Sequence, residues 1–303
     1  MMIARLGIYS LPLLYLAFFI LLGGTFSSNT LFAQTEQTDP LSLSIPYDEI
    51  DFSNLKRTGS GRVETIIDGL TILLKDKRII RLASVEIPHF ATRDNRVETQ
   101  SLQFLQQILP QGTEITLYQT RGPKLGRLNR MEHPLAHIVF QETAKDQEVW
   151  VQGLLLSRGL ARAFPSHHNP EMSKQLYLWE SYGRQSNAGL WAKNYHPILT
   201  IEETHDNLNQ HHVVEGIVQS VASVRNNVYL NFGADWKKDF TIMIPSAIRR
   251  AFSKDNIDLR DLQNQSIRVR GWLRSYNGPF LELHHKSHLE ILETPLAIKD
   301  NNP

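Results

Sequence analysis

Three short β-rich runs between residues 62 and 85 constrain the fold of this chain most strongly. They are Arg62–Ile67, Thr71–Leu74 and Ile79–Val85, and each is rich in β-branched residues. An Asp-Gly pair at positions 68 and 69 separates the first two runs, and Lys75–Lys77 separates the last two. Tight turns of this kind join antiparallel strands. The pattern therefore predicts a three-stranded meander at the start of a folded domain.

The residues that follow predict a mainly β domain with helices. Apolar residues at helical spacing predict a helix over Arg96–Leu109. Further patterns predict strands at Glu114–Gln119 and Leu135–Gln141, and helices at Val149–Arg158 and Glu171–Ser186. Together these elements predict an α+β fold in which helices pack on a five-stranded barrel.

Several motifs occur in the order found in thermonuclease (staphylococcal nuclease-like) domains. Val63–Pro88 resembles the family's opening strand, Asp-Gly-Asp-Thr turn, Arg and Asp-Thr-Pro-Glu segment. Gly126-Arg127 followed by Pro134–Ile138 resembles the Tyr-Gly-Arg-x-Leu-Ala segment. Val151–Ala161 resembles the helix that ends in Gly-Leu-Ala, and Asn187–Trp191 resembles the closing Gly-Leu-Trp. The resemblance implies an OB-type barrel that carries a phosphodiesterase site.

This resemblance also implies roles for individual residues. It implies catalytic, phosphate-directed arginines at Arg81 and Arg127, a general base at the position of His89, and acidic metal ligands at Glu86 and Asp68. A guanidinium group suits a phosphate because its planar fork donates two hydrogen bonds and stays charged. Imidazole can act as a base near neutral pH.

One calcium ligand of the family is replaced in this chain. Leu70 stands where the family has the second Asp of its turn, and a leucine side chain cannot bind calcium. Calcium favours six to eight oxygen ligands, so the loss of one carboxylate weakens the site. We therefore expect calcium to bind weakly, no other cofactor, and hydrolysis that is weak or lost. The alternative, structural prediction for Asp68 is that its side chain stabilises the Asp-Gly turn.

A second run of short strands begins near residue 212. Its pattern predicts a further OB-like β-barrel. The predicted elements are strands at Val213–Val221, Asn227–Phe232, Phe240–Ile244, Ser266–Trp272, Phe280–His284 and His288–Leu292, and a helix at Ser246–Phe252.

Aromatic and basic residues are interleaved in this second half. OB barrels bind single strands by stacking bases on aromatic rings and by basic contacts to the backbone. Tyr229, Arg270 and Trp272 are therefore predicted to bind nucleic acid, together with Arg130 of the first half. Strand alternation places Arg268, Arg270 and Trp272 on one face. We expect that face to be basic and outward.

The N-terminus has the composition of an export signal. Arg5 precedes an apolar run from Leu6 to Phe26, and we expect cleavage near Ala33. The protein is then exported, periplasmic or secreted, and has no membrane span. An uncleaved anchor is the alternative, because the run approaches the ~20 residues that cross a bilayer. The chain has no cysteine, which excludes disulfides.

The length of 303 residues leaves room for two domains, since a typical domain has ~100–200. We expect two folded domains separated by a polar linker. The predicted segments are a signal or anchor at 1–33, a flexible lead-in at 34–61, the thermonuclease-like domain at 62–195, a linker at 196–211, the OB-like barrel at 212–294 and a tail at 295–303.

Three functions are compatible with these patterns. The formal net charge of +1 argues against a protein that holds duplex DNA mainly by neutralising phosphates. The leading hypothesis is an exported thermonuclease-family protein that binds nucleic acid (DNA or RNA, preferably single-stranded) or other phosphodiester groups through its paired arginines, with little or no hydrolysis. One alternative is an active metal-dependent endonuclease with a metal site rebuilt from Glu86, Asp68 or His89. The other is an envelope scaffold for protein–protein interaction.

Overall fold

The computed structural model describes residues 50–88, 96–143, 146–192, 196–235 and 237–292. These residues form a mainly β, α+β structure with several sheets. The predicted signal at 1–33, His89 and the predicted tail at 295–303 lie outside the described residues.

The first half of the described chain alternates short strands with helices. Its strands are β1 (Leu55–Asp68), β2 (Thr71–Leu74), β3 (Ile79–Leu82), β4 (Val85–Glu86), β5 (Glu114–Thr120), β6 (Leu135–Glu142), β7 (Gln147–Trp150) and β8 (Arg162–Ala163). Its helices are α1 (Arg96–Ile108), α2 (Lys124–Arg127), α3 (Val151–Ser157), α4 (Ser173–Gln185) and a 3-10 helix at Gly189–Trp191.

The second half contains fewer helices. Its strands are β9 (Gln210–Ile217), β10 (Ser220–Val224), β11 (Asn227–Asn231), β12 (Thr241–Ile244), β13 (Ser266–Ser275), β14 (Pro279–Glu282) and β15 (Leu289–Ile291). Its helices are α5 (Ser246–Lys254) and 3-10 helices at Glu202–Asp206, Leu259–Leu262 and Lys286–His288.

A long first strand organises the sheet of the first half. β1 pairs with β5 over residues 55–62 and with β2 over residues 63–68. Irregularities in its register allow it to bend between the two partners. β2 pairs with β3, β5 pairs with β6, and β3 pairs in parallel with β6. The strand pairings therefore return to their starting point and form a ring.

The second half has a ring of pairings with the same order. β9 pairs with β13, and β10 pairs with β11. β9 runs into β10 after only two intervening residues, and the Gln219 amide between them donates to the Asn231 carbonyl (2.9 Å) of β11. β11 pairs with β12, β12 pairs in parallel with β14, and β14 pairs with β13. In both halves, a parallel pairing joins the third and fifth strands of the ring.

Buried apolar side chains form two large clusters. One cluster draws on residues from Leu55 to Trp179, and the other on residues from Leu199 to Leu289. α1 contributes to the first cluster because its buried residues recur at helical spacing. Within the described ranges, every helix is too short or too polar to cross a lipid bilayer.

Most predicted elements are confirmed, with differences at their ends. β1 begins at Leu55, so the last residues of the predicted flexible lead-in at 34–61 are paired strand. The predicted strand Ile79–Val85 is divided into β3 and β4, because Ser84 adopts a left-handed backbone conformation (φ 60°). Leu199, in the predicted polar linker at 196–211, is buried in the second cluster.

Candidate functional site

The turn between β1 and β2 is held by the side chain of Asp68. Its Oδ1 accepts a hydrogen bond from the Leu70 amide (2.7 Å), and its Oδ2 accepts one from the Thr71 hydroxyl (2.9 Å). Aspartate commonly stabilises a turn by accepting from the backbone two residues on. The local structural role of Asp68 is therefore present.

Arg81 lies directly beside this turn. β2 and β3 place Thr71 opposite Arg81 in register. Arg81 Nη1 donates to Asp68 Oδ1 (3.1 Å), Asp68 Oδ2 (3.2 Å) and Thr71 Oγ1 (2.7 Å). The Arg81 and Asp68 side chains remain 36% and 38% exposed. The structure thus brings these two predicted site residues together, and both are accessible to solvent.

A small open pocket of about 170 Å³ adjoins the pair. Asp68, Arg81, Leu70, Ile87 and Glu98 contribute to its walls. Leu70 is only 2% exposed and belongs to the first apolar core, so a carboxylate at this position would have to leave or disrupt that core. Glu98 is a carboxylate that sequence reasoning missed. In the sequence, Glu98 stands out only as an acidic residue in the first turn of a predicted helix, and such residues are common in helices without a site.

Glu86 lies away from this pocket. Ile87 lines the pocket, but Glu86 is not among its lining residues. β4 and β8 place Glu86 opposite Arg162, whose Nε donates to Glu86 Oε1 (2.6 Å). Arg162 is 3% exposed and also donates to His196 Nε2 (2.7 Å). The structure therefore pairs the two predicted metal ligands, Asp68 and Glu86, with two different arginines.

A neutral histidine adjoins the same ion pair. His211 Nδ1 lies 4.0 Å from Glu86 Oε1. Burial, followed by the nearby Arg162, lowers the pKa of His211 to about 2. At neutral pH the cation that pairs with Glu86 among the described residues is thus Arg162.

Arg127 lies at the same edge of the first sheet as Arg81. Gln119 Nε2 donates to the carbonyls of both Arg127 (2.8 Å) and Leu135 (2.9 Å). Leu135 is the register partner of Arg81 in the parallel pairing of β3 and β6. Among the described residues, Arg127 Nε is buried and has no hydrogen-bond partner. Arg130, three residues further on, is exposed.

The described residues offer no ready metal centre. In the part of the chain that the structure describes, no group of three or more His, Cys, Asp and Glu side chains is arranged to hold a metal ion. The predicted base, His89, lies outside the described residues.

The prediction of an outward basic face on β13 is wrong. Arg270 is 1% exposed, and its guanidinium donates to Glu180 Oε1 (3.2 Å) and Oε2 (3.0 Å) and to Glu290 Oε1 (2.8 Å). Arg268 donates to Glu215 (2.6 Å) and is 15% exposed. This face of β13 packs against α4, which carries Glu180. Arg270 is therefore a structural residue and cannot contact nucleic acid from this position.

The ion pair with Arg270 lowers the pKa of Glu180. Burial disfavours the charged form of Glu180, but the Coulomb attraction of Arg270 and Arg184 outweighs it and lowers the pKa of Glu180. The carboxylate therefore stays charged inside the protein, where it also accepts a hydrogen bond from the Ala163 amide (2.8 Å).

The two predicted aromatic contacts differ in their surroundings. Trp272 is 54% exposed on β13. Tyr229 lies on β11 and lines an open pocket with Tyr276 and Phe280. The structure therefore places Tyr229 in a concave surface, whereas Trp272 is not among the residues that line it.

Comparisons with known proteins do not assign the chain. No protein-family model matches it, and no match is found among curated proteins.

Proposed function

We propose that this chain is a thermonuclease-like protein built from two OB-type barrels. The order of motifs along residues 62–195 supports the likeness, as does the arrangement of the strands. An OB fold is a five-stranded Greek-key barrel. In each half, five strand positions are linked in a ring: β1, β2, β3, β5 and β6 in the first, and β9 with β10, β11, β12, β13 and β14 in the second. The third and fifth positions pair in parallel in both halves. Export of the protein is proposed from its N-terminal sequence alone.

We further propose that the first barrel binds phosphodiester groups of single-stranded nucleic acid without efficient hydrolysis. One observation carries this proposal: each carboxylate at a predicted metal-ligand position already accepts hydrogen bonds from an arginine. Asp68 is held by Arg81, and Glu86 is held by Arg162. A calcium ion needs several free oxygen ligands at one point. With Leu70 in the core, the described residues favour phosphate binding over metal-dependent cleavage.

The proposed phosphate contact uses the exposed side of Arg81. Its guanidinium opens onto the pocket beside Thr71, and its present partner is the carboxylate of Asp68. A phosphate dianion or diester offers the same geometry of oxygen acceptors to a guanidinium. Nucleic acid would therefore compete with Asp68 for Arg81, and Arg127 at the same sheet edge would add a second cation.

Two variants with opposite expected effects test this binding. Arg81→Gln removes the cation and should weaken binding of a short labelled oligonucleotide. Asp68→Asn keeps an oxygen for the Leu70 amide but removes the competing charge, so it should strengthen binding at low salt. Fluorescence anisotropy would measure both, with single-stranded DNA and RNA in parallel. Equal affinities of the parent and both variants would exclude this site, and no salt-sensitive binding at all would favour the scaffold function.

Cleavage is tested separately with the same oligonucleotides. We expect no EDTA-sensitive cleavage by the parent in calcium, magnesium, manganese or zinc. Leu70→Asp alone should not restore cleavage, because it places a charge in the core and leaves Glu86 paired with Arg162. Leu70→Asn is the matched control for lost stability without a new charge. Metal-dependent cleavage by the parent would contradict the proposal and favour a rebuilt active site.

A further inference from the structure

An open pocket of about 560 Å³ lies on the second sheet, away from the Arg81 site. Three of its eight lining residues are aromatic: Tyr229 on β11, Tyr276 in the turn between β13 and β14, and Phe280 on β14. The ring centroids of Tyr276 and Phe280 are 5.3 Å apart at an interplanar angle of 68°. Tyr276 is 63% exposed, so one aromatic face is presented to solvent.

The backbone of the turn holds Tyr276 in place. The Tyr276 amide donates to the Gly278 carbonyl (2.8 Å), and Asn277 and Gly278 both adopt positive φ angles (52° and 90°). A Cβ atom at residue 278 would collide with the backbone oxygen of Lys238. Only glycine combines this conformation with such a close approach. The exposed ring is therefore carried on a tight turn that packs against the neighbouring loop.

Polar groups complete the lining without adding a charge. The Asn231 amide and the Thr241 hydroxyl lie on adjacent strands, and Asn277 lies at the tip of the turn. Asn231 donates to Ser220 Oγ (3.2 Å) and accepts from Thr241 Oγ1 (3.4 Å). Amide side chains present both donors and acceptors, which suits the edge of a heterocyclic base. The lining residues include no carboxylate.

Two arginines adjoin lining residues of the pocket. Arg225 directly follows Val224, which lines the pocket and is 51% exposed. Among the described residues, no ion pair involves Arg225. The Arg274 guanidinium lies 4.9 Å from the centroid of Phe280 and also pairs with Glu282 (3.1 Å). An uncharged aromatic slot with Arg225 next to one of its lining residues complements a base whose phosphates remain outside it.

We infer that this pocket binds a base of single-stranded nucleic acid by stacking on Tyr276 and Tyr229. The inference shares its ligand with the proposed function but uses a different surface and different residues. Sequence alternation could not have found this surface, because it is assembled from β10, β11, β12 and the distant β13–β14 turn.

Binding of a fluorescein-labelled oligothymidylate to the full chain tests the inference by anisotropy. The parent should bind it more tightly than an abasic oligonucleotide of the same length and charge. Tyr276→Ala should weaken oligothymidylate binding roughly tenfold, as expected for one lost base–aromatic stack, whereas Tyr276→Phe should bind like the parent. Ile291→Ala is the matched control, since it removes an exposed apolar side chain of the same half outside the pocket, and should leave affinity unchanged.

Several results would overturn the inference. Equal binding of the thymidylate and abasic oligonucleotides would exclude base stacking, as would full affinity in Tyr276→Ala. A loss in Tyr276→Phe as large as in Tyr276→Ala would also exclude base stacking.

The variant Arg81→Gln distinguishes this pocket from the proposed phosphate site of the first half. If only Arg81→Gln weakens binding, the pocket inference fails and the proposed function stands; if only Tyr276→Ala does so, the pocket stands and the first-barrel site fails. Circular dichroism would confirm that each variant is folded.

Discussion

Removal of the Arg270 guanidinium should destabilise the protein more than removal of any surface cation. Arg270 is 1% exposed and Glu180 is fully buried. Besides its bonds to Glu180 and Glu290, Arg270 donates to the Ala163 carbonyl (3.2 Å) and lies 4.2 Å from the centroid of the Tyr177 ring. In Arg270→Met the methionine fills much of the space but leaves the carboxylate of Glu180 without its bidentate partner.

The magnitude follows from the partners that remain. Breaking a buried ion pair by removing one member costs about 3–5 kcal/mol. Glu180 keeps Arg184 and the Ala163 amide as partners, which places the expected loss near the lower end of that range. The matched control is Arg274→Met, because Arg274 and Glu282 are 49% and 33% exposed. An exposed pair of that kind contributes about 0–1 kcal/mol.

Urea unfolding at pH 7, followed by circular dichroism, would measure both losses. The parent, Arg270→Met and Arg274→Met would be compared through their midpoints and slopes, since an unchanged slope shows that stability alone has changed. A loss in Arg270→Met no larger than in Arg274→Met would refute the reasoning. It would mean that the two halves do not depend on a desolvated ion pair between β13 and α4.

Three further perturbations have defined expectations. Burial lowers the pKa of His137 to about 3, below the ~6.5 of an unfolded histidine, so the stability due to neutral His137 is present above pH 6.5 and is lost as pH falls towards 3. The free energy of unfolding of His137→Leu, from urea curves between pH 6 and pH 4, should therefore fall less steeply than that of the parent, by up to about 1.4 kcal/mol per pH unit; parallel slopes would contradict this. Gly159→Ala should lower the thermal midpoint more than Gly112→Ala, because both glycines have positive φ but only at Gly159 would a Cβ strike the Ala188 carbonyl; equal shifts would show that the clash relaxes. Ser101→Ala removes a buried hydroxyl that donates to the turn beside the pocket (2.8 Å) and should cost about 1 kcal/mol in urea unfolding, whereas an unchanged midpoint would show that water replaces it.

Local sequence predicted the elements around the Arg81 site well. The strand Thr71–Leu74 has its predicted bounds, and the helix predicted from Arg96 ends one residue before its predicted last residue. These elements depend on neighbouring residues: an Asp-Gly turn, β-branched runs and apolar positions at helical spacing. The pairing of Arg81 with Asp68 was not predicted, although both residues lie in this one meander.

Distant contacts account for the predictions that failed. Alternation along β13 placed Arg268, Arg270 and Trp272 on one face, but alternation carries no information about which segments cover that face. Glu180 lies 90 residues from Arg270, and Arg162 lies 76 residues from Glu86. Nothing in the local pattern of either segment indicates such a partner.

The sequence by itself determined the strand and helix periods, the turn at Asp68 and the presence of arginines at positions 81 and 127. Each of these follows from backbone geometry and side-chain type over a few consecutive residues. Only the tertiary structure decided that Arg270 is buried, that Glu86 is held by Arg162 and that Tyr229 meets Tyr276 in one pocket. Burial and charge pairing depend on which distant segments exclude water from a side chain, and that is a property of the packed chain as a whole.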